Sequence, residues 1–172
     1  MKKAPNGGEP EPSPSKIGRL MVVAGLVLLL DQLAKAWILH HLPLYHSIPV
    51  LPGWFELTHV QNPGGAFGFL AGHHPGIRGA VFLFFSGLAA VLVLFFYFKT
   101  PKTHLMLAAG FALIFGGALG NLVDRLRFGK VVDFLDVHYG TYHWPAFNIA
   151  DSAITVGIGI FLLHIVTGKL PD

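Results

Sequence analysis

Asp124 and Asp151 interrupt apolar runs, each three residues after an asparagine, and Asp133 and Asp136 lie between them. Residues 116–154 thus bring together four carboxylates, Asn121, Asn148 and Arg125. An ionisable group at membrane depth costs about 3 kcal/mol on insertion, so such residues are functional candidates by default. Two carboxylates held close together do not both ionise easily, so one keeps a proton while the other serves as a base. Such a pair can activate water toward a peptide carbonyl, with the protonated member donating to the carbonyl oxygen. The apparent pKa values belong to the pair rather than to either residue. The residues by themselves leave Asp124, Asp133 and Asp136 all open as the partner of Asp151.

Asn121-Leu-Val-Asp124 and Asn148-Ile-Ala-Asp151 repeat one pattern, N-x-x-D, on consecutive apolar segments. A spacing of three puts amide and carboxylate on one helical face. The second pair also suits a helix start, with Asn148 as N-cap and Asp151 at N3, and both roles can coexist. Asp31 and Lys35 have the i to i+4 spacing of a helical ion pair, which lowers the cost of both charges in a membrane. Gly116 and Gly120 form a G-x-x-x-G spacing that lets a helix approach its neighbour closely.

Other chemistries lack their residues. No cysteine is present, which removes thiol nucleophiles and thiolate metal sites. The ten histidines include adjacent pairs at 40–41 and 73–74 but no H-E-x-x-H and no i to i+4 pair, so no metal and no cofactor is expected. Ser86 has no Lys or His at helical spacing and Ser152 has only Asp151 beside it, so neither has a visible base. The basic residues are scattered, with none of the stripes or aromatic interleaving that nucleic acid requires.

These side chains need elements to position them, and the composition says which kind. With 53% hydrophobic and 12% charged residues and a mean hydropathy of +0.59, the chain reads as one integral membrane domain. Residues 1–15 form a disordered tail, and residues 16–168 the single domain. Spans are expected at 17–39, 79–98, 105–122 and 149–166, with outer loops at 40–76 and 125–148. The apolar 17–39 segment, which lacks a small-residue cleavage site, is read as retained. Four spans place both termini on one side.

Seven Lys and Arg fall on the side of the termini and four on the other, so the termini are expected to be cytoplasmic. Arg125, Arg127 and Lys130 run against that rule and suit either phosphate or carbonyl contacts or snorkelling. Asp31 lies 14 residues beyond Ile17 and Asp124 19 beyond Leu105, about 21 and 28 Å along their helices. Asp151 belongs to the first turn of the last span, so the carboxylates converge near the outer interface. In the first outer loop, β-branched and aromatic runs broken by Pro52 and Gly53 predict a small β-structure. The Gly-rich stretch after it suits either a tight turn ending in a re-entrant or interfacial helix or an ordinary loop, and a substrate-cradling role is open to it.

Taken together, the motifs resemble those of bacterial lipoprotein signal peptidase, also called signal peptidase II. The blocks that carry the resemblance are DQLAK (31–35), QNPGGAFGF (61–69), GGALGNLVDR (116–125), VVDF (131–134) and PAFNIADSAI (145–154). They occur in the family's order, and the resemblance runs from about residue 17 to 167. The resemblance implies a membrane all-α fold of four transmembrane helices, with a small extracytoplasmic β-cradle in the first outer loop. It further implies an aspartyl endopeptidase of the bacterial cytoplasmic membrane, with its active site at the outer face.

By the same resemblance Asp133 and Asp151 are the catalytic pair. Asn62, Asn121, Arg125 and Asn148 match positions that contact the substrate backbone or peptide-like inhibitors of the globomycin type. Asp124 would be a supporting residue that holds Arg125 or the neighbouring asparagines. Asp31 with Lys35 would brace the cradle, and Gly64 and Gly65 would support the turn after Asn62. Pro63 departs from the small polar residue more usual in the family. The implied substrates are diacylglyceryl-modified prolipoproteins, cut just before the lipidated cysteine, with membrane lipids as surroundings and a monomer as the working form. Against this stand a proton- or cation-coupled transporter, since intramembrane carboxylates also relay protons, and a lipid-binding scaffold built on Arg125, Arg127 and Lys130.

Overall fold

Hydrocarbon offers no water to backbone N–H and C=O groups, so each long apolar run must satisfy them internally as a helix. A computed structural model describes residues 15–64 and 75–170. It contains α1 (Lys16–His41), β1 (Ser47–Leu51), β2 (Phe55–Asn62), α2 (Pro75–Lys99), α3 (Leu105–Phe128), β3 (Val131–Tyr139), β4 (Tyr142–His143) and α4 (Ile149–Val166). All four helices are long and apolar enough to cross a membrane.

The ends of the helices follow from local chemistry. Ser15 caps α1, its hydroxyl accepting the Gly18 N–H at 3.0 Å. At its other end α3 runs to Phe128, beyond the expected end near 122, and stops at Gly129, whose φ of 67° is the left-handed conformation of a helix terminus. Residues 125–128 are therefore helix rather than the start of an outer loop, and Arg125 sits one residue after Asp124 on a continuous helical surface.

The helix α3 is central and touches the other three. Its glycines permit this: a Cβ on Gly116 would lie 2.8 Å from the Ala24 backbone of α1. Leu20, Ala24, Tyr97, Leu107, Ala108, Phe111 and Ala112 form a core at the terminal end of the bundle. At the other end Ile38 of α1 and Leu42, its C-cap, pack on Val132 and Phe134 of β3. Outward-facing Phe84, Phe85, Phe95 and Phe96 of α2 stay exposed, as expected of a helix bathed in lipid.

The strands form one antiparallel sheet in the order β1-β2-β3-β4. The cradle is thus broader than the first outer loop: β1 and β2 come from that loop and β3 and β4 from the second. The β2–β3 register sets Val60 against Asp133 and Asn62 against Val131, with an irregularity between Leu57 and Val60. This pairing stitches the two outer loops together above the helix ends.

Candidate active site

The fourth helix begins at the chemistry. Asn148 is its N-cap; the side-chain Oδ1 accepts the Asp151 N–H at 2.9 Å, and Asp151 Oδ2 accepts the Asn148 N–H at 3.3 Å. This reciprocal box satisfies two N–H groups that a helix start leaves unpaired. With its oxygen engaged by a backbone donor, the Asn148 amide must turn its NH2 the other way. There Nδ2 donates to Asp133 Oδ1 at 2.7 Å and reaches Asn121 Oδ1 at 3.2 Å and the Val132 carbonyl at 3.3 Å.

Asn62 and Asn121 repeat this logic. Asn62 Oδ1 accepts the Gly64 N–H at 2.9 Å, which leaves Nδ2 to donate to Asp133 Oδ2 at 3.1 Å. Asn121 Oδ1 accepts from the Lys35 ammonium at 3.1 Å, which leaves Nδ2 to donate to Asp151 Oδ1 at 2.8 Å. Each of the three amides has its oxygen held by an obligatory donor and its nitrogen aimed at a carboxylate. Gly64 allows the turn after Asn62 because its φ is +90° and because a Cβ there would collide with the Phe82 ring.

Asp133 is 3% exposed and Asn148 fully buried. Burial pushes the Asp133 carboxyl up to about 7, and the nearby Asp151 charge adds to that, while hydrogen bonds from Asn62 and Asn148 and the Lys35 charge pull the other way. Asp151 is half-buried and lines a cavity of about 520 Å³ with Trp144, Phe147, Ser152, Thr155 and Val156. Arg125, whose Nη1 donates to the Asn121 carbonyl at 3.2 Å, borders a second cavity of about 470 Å³ with Pro63, Gly79, Ala80, Leu83 and Lys130.

Beneath the two carboxylates lies a buried ion cluster. Lys35 Nζ sits 2.8 Å from both Asp31 Oδ2 and Asp124 Oδ2, so with Asn121 its three N–H groups each have an acceptor. Asp31 Oδ1 accepts the Ala150 N–H at 3.0 Å, tying α1 to the first turn of α4. Asp124 Oδ2 accepts the Val132 N–H at 3.0 Å, tying α3 to β3. The expected role of Asp124 is corrected here: its carboxylate holds neither Arg125 nor an asparagine but Lys35, Gln32 and the Val132 amide. The expected bracing by Asp31 and Lys35 likewise acts on the start of α4, and it reaches the cradle through Asp124.

Gln32 had no role assigned from sequence. Its Nε2 donates to Asp124 Oδ1 at 3.0 Å and reaches the Gly120 carbonyl at 3.2 Å and Asp31 Oδ2 at 3.3 Å. Its place inside the DQLAK block was the available signal. Asp136, the third candidate partner, stands apart, with His143 Nδ1 2.9 Å from its Oδ2 at the β3–β4 hairpin. Gly65 lies outside the described residues. Among the described residues no cluster of three or more His, Cys, Asp or Glu is arranged to hold a metal.

Comparison with known proteins agrees with the fold. The family model described as signal peptidase (SPase) II matches residues 23–167. The lipoprotein signal peptidase of Desulforapulum autotrophicum is 54% identical over 154 residues, covering 90% of this chain and 95% of its own. That of Syntrophus aciditrophicus is 52% identical over 143 residues, covering 83% and 88%. A bacterial membrane enzyme solved by the in meso method at 2.3 Å superposes with a TM-score of 0.77 at 30% identity, covering 88% of this chain and 89% of that one.

Proposed function

The chain belongs to the signal peptidase II family and is a peptidase, and from that premise we propose that Asp133 and Asp151 form its catalytic pair and that water is the nucleophile. One observation carries this reading: three asparagines aim donors at these two carboxylates and at no others. One proton is shared by the pair. The unprotonated carboxylate takes a proton from water as the water oxygen bonds to the scissile carbonyl carbon. The protonated one donates to the carbonyl oxygen, giving a neutral tetrahedral intermediate. Collapse breaks the C–N bond as the proton taken from water passes to the amine, while one hydroxyl of the intermediate returns its proton to the other carboxylate and restores the shared proton.

The substrates in this reading are diacylglyceryl-modified prolipoproteins, cut before the lipidated cysteine. The cavity beside Asp151 and the cavity beside Arg125 flank the pair and suit the two sides of such a substrate. In this reading Asn62 and Arg125 meet its backbone directly, whereas Asn121 and the fully buried Asn148 act through the carboxylates they hold. The enzyme works as a monomer in the bacterial inner membrane, among its lipids, with both termini cytoplasmic and the site at the outer face. Peptide-like inhibitors of the globomycin type compete for the same groups. A transporter reading fits less well, since the carboxylates gather at one end of the bundle rather than along a path.

The test is cleavage of a diacylglyceryl-modified prolipoprotein by purified protein. Asp133→Asn and Asp151→Asn are each expected to lower kcat by about 10²–10⁴-fold, and a chelator to change nothing. Cleavage that survives either substitution removes the aspartate pair.

A further inference from the structure

At the end of the bundle opposite the carboxylates, α1, α2 and α3 leave a groove of about 320 Å³. Its walls are apolar and small, with Gly18, Val22, Ala109 and Ala112 among them, and Tyr97 closes one side. Arg19 stands at its edge. The Arg19 Nε is buried and has no hydrogen-bond partner. A buried guanidinium donor left without an acceptor is costly, by about 1–3 kcal/mol, so the site is incomplete as it stands.

The charge around the groove is one-sided. Lys16 is within electrostatic reach of both Arg19 and Lys102. Lys16 is itself occupied, its ammonium donating to the Phe98 carbonyl at 2.7 Å and to the Thr100 carbonyl at 2.5 Å. Every Asp and Glu among the described residues lies toward the other end, on the last half of α1, on the end of α3, on the sheet or at the start of α4. No protein carboxylate among them is therefore available to Arg19. An apolar cleft lined by an arginine whose buried Nε has no acceptor, within a membrane, has the chemistry of a lipid tail and an anionic headgroup.

We propose that this groove binds an anionic phospholipid of the leaflet opposite the carboxylates, with the phosphate on Arg19 and part of an acyl chain between α1 and α3. Arginine suits this task because its planar fork holds phosphate oxygens in pairs. The proposal needs only the membrane-spanning fold and does not depend on the identity of the catalytic pair. With the proposed orientation, the leaflet is the cytoplasmic one. The bound lipid would fix the angle between α1 and α3, the two helices that carry Asp31, Lys35 and Asp124 at their far ends.

The experiment is native mass spectrometry of the full-length protein taken from mixed vesicles of phosphatidylglycerol and phosphatidylcholine. Wild type is expected to retain phosphatidylglycerol in preference to phosphatidylcholine. Arg19→Gln is expected to reduce that preference about fivefold, the factor that one basic side chain contributes near an anionic lipid surface. Val22→Phe, at a position 60% exposed and so tolerant of substitution, is expected to lower retention of both lipids by filling the groove. Both variants are expected to keep prolipoprotein cleavage in detergent, which shows that they fold. Inorganic phosphate is expected to leave the bound lipid in place. A preference unchanged in Arg19→Gln overturns the assignment, and so does displacement by inorganic phosphate. Binding indifferent to headgroup charge, as expected of a groove that takes a neutral chain or a peptide segment, overturns it too.

Discussion

Asp133 joins the chemistry to pH. Its carboxyl is pushed up to about 7 by burial, against an ordinary 3.8. The folded protein therefore holds a proton that the unfolded chain has released between those values, and stability falls as pH rises through that window. The interval corresponds to at most about 4 kcal/mol. Chemical unfolding in micelles from pH 4 to 8 is expected to show this decline; stability that rises across the window refutes it. Activity follows the same group: if Asp133 supplies the shared proton, kcat/KM falls as pH climbs past about 7. Lys35 acts at a distance from the reacting atoms. Lys35→Met strands two buried carboxylates and is expected to cost about 3–5 kcal/mol in unfolding free energy. Asp151 was readable from sequence because its cap lies three residues away. Asp133 could not be told from Asp124 and Asp136 by the residues alone and was named only through the resemblance, because Asn62, the donor to its second oxygen, stands 71 residues distant and strand pairing delivers it. Gln32 was missed for the same reason, its partners lying 88 and 92 residues along the chain.

At the level of elements, close approach decides what α3 tolerates. A Cβ on Gly120 would come within 2.6 Å of Asp31 Oδ2, and one on Gly116 would meet the α1 backbone. Gly120→Ala is therefore expected to displace Asp31 from the Ala150 amide, costing about 1–3 kcal/mol of stability and more of activity. Thermal unfolding and cleavage rate measured together check this; an unchanged rate refutes it. The four spans were legible because apolar length is a strong signal. The end of α3 was less so, because Arg125, Arg127 and Lys130 resemble a loop while Leu126 and Phe128 continue the helix on an exposed face. The strand β3 was obscured by its own burial. Val131–Phe134 are all buried, so the alternation that marks a half-buried strand is lost where Asp133 turns toward the helices.

Among the described residues every carboxylate lies toward one end of the helices, while Lys16, Arg19, Lys99 and Lys102 stand at the other. Absence of cysteine makes its orientation measurable by single substitutions. Thr103→Cys and Tyr142→Cys place thiols at exposed positions on opposite ends of the bundle. In intact cells an impermeant maleimide is expected to label Tyr142→Cys alone; labelling of Thr103→Cys instead inverts the proposed topology. The general architecture was visible from hydropathy, whereas the joining of both outer loops into one sheet was not, since register between distant strands leaves no local trace.

The hydrogen bond from Ala150 to Asp31 spans 119 residues, from the first membrane helix to the last. A ribosome delivers these helices in order, so three of them enter the bilayer before the fourth exists. Until α4 arrives, Asp133 lacks both Asp151 and the Asn148 donor. On the proposed assignment a half-made chain is thus a protease without an active site, and translation itself keeps it inert among the other nascent membrane proteins it meets.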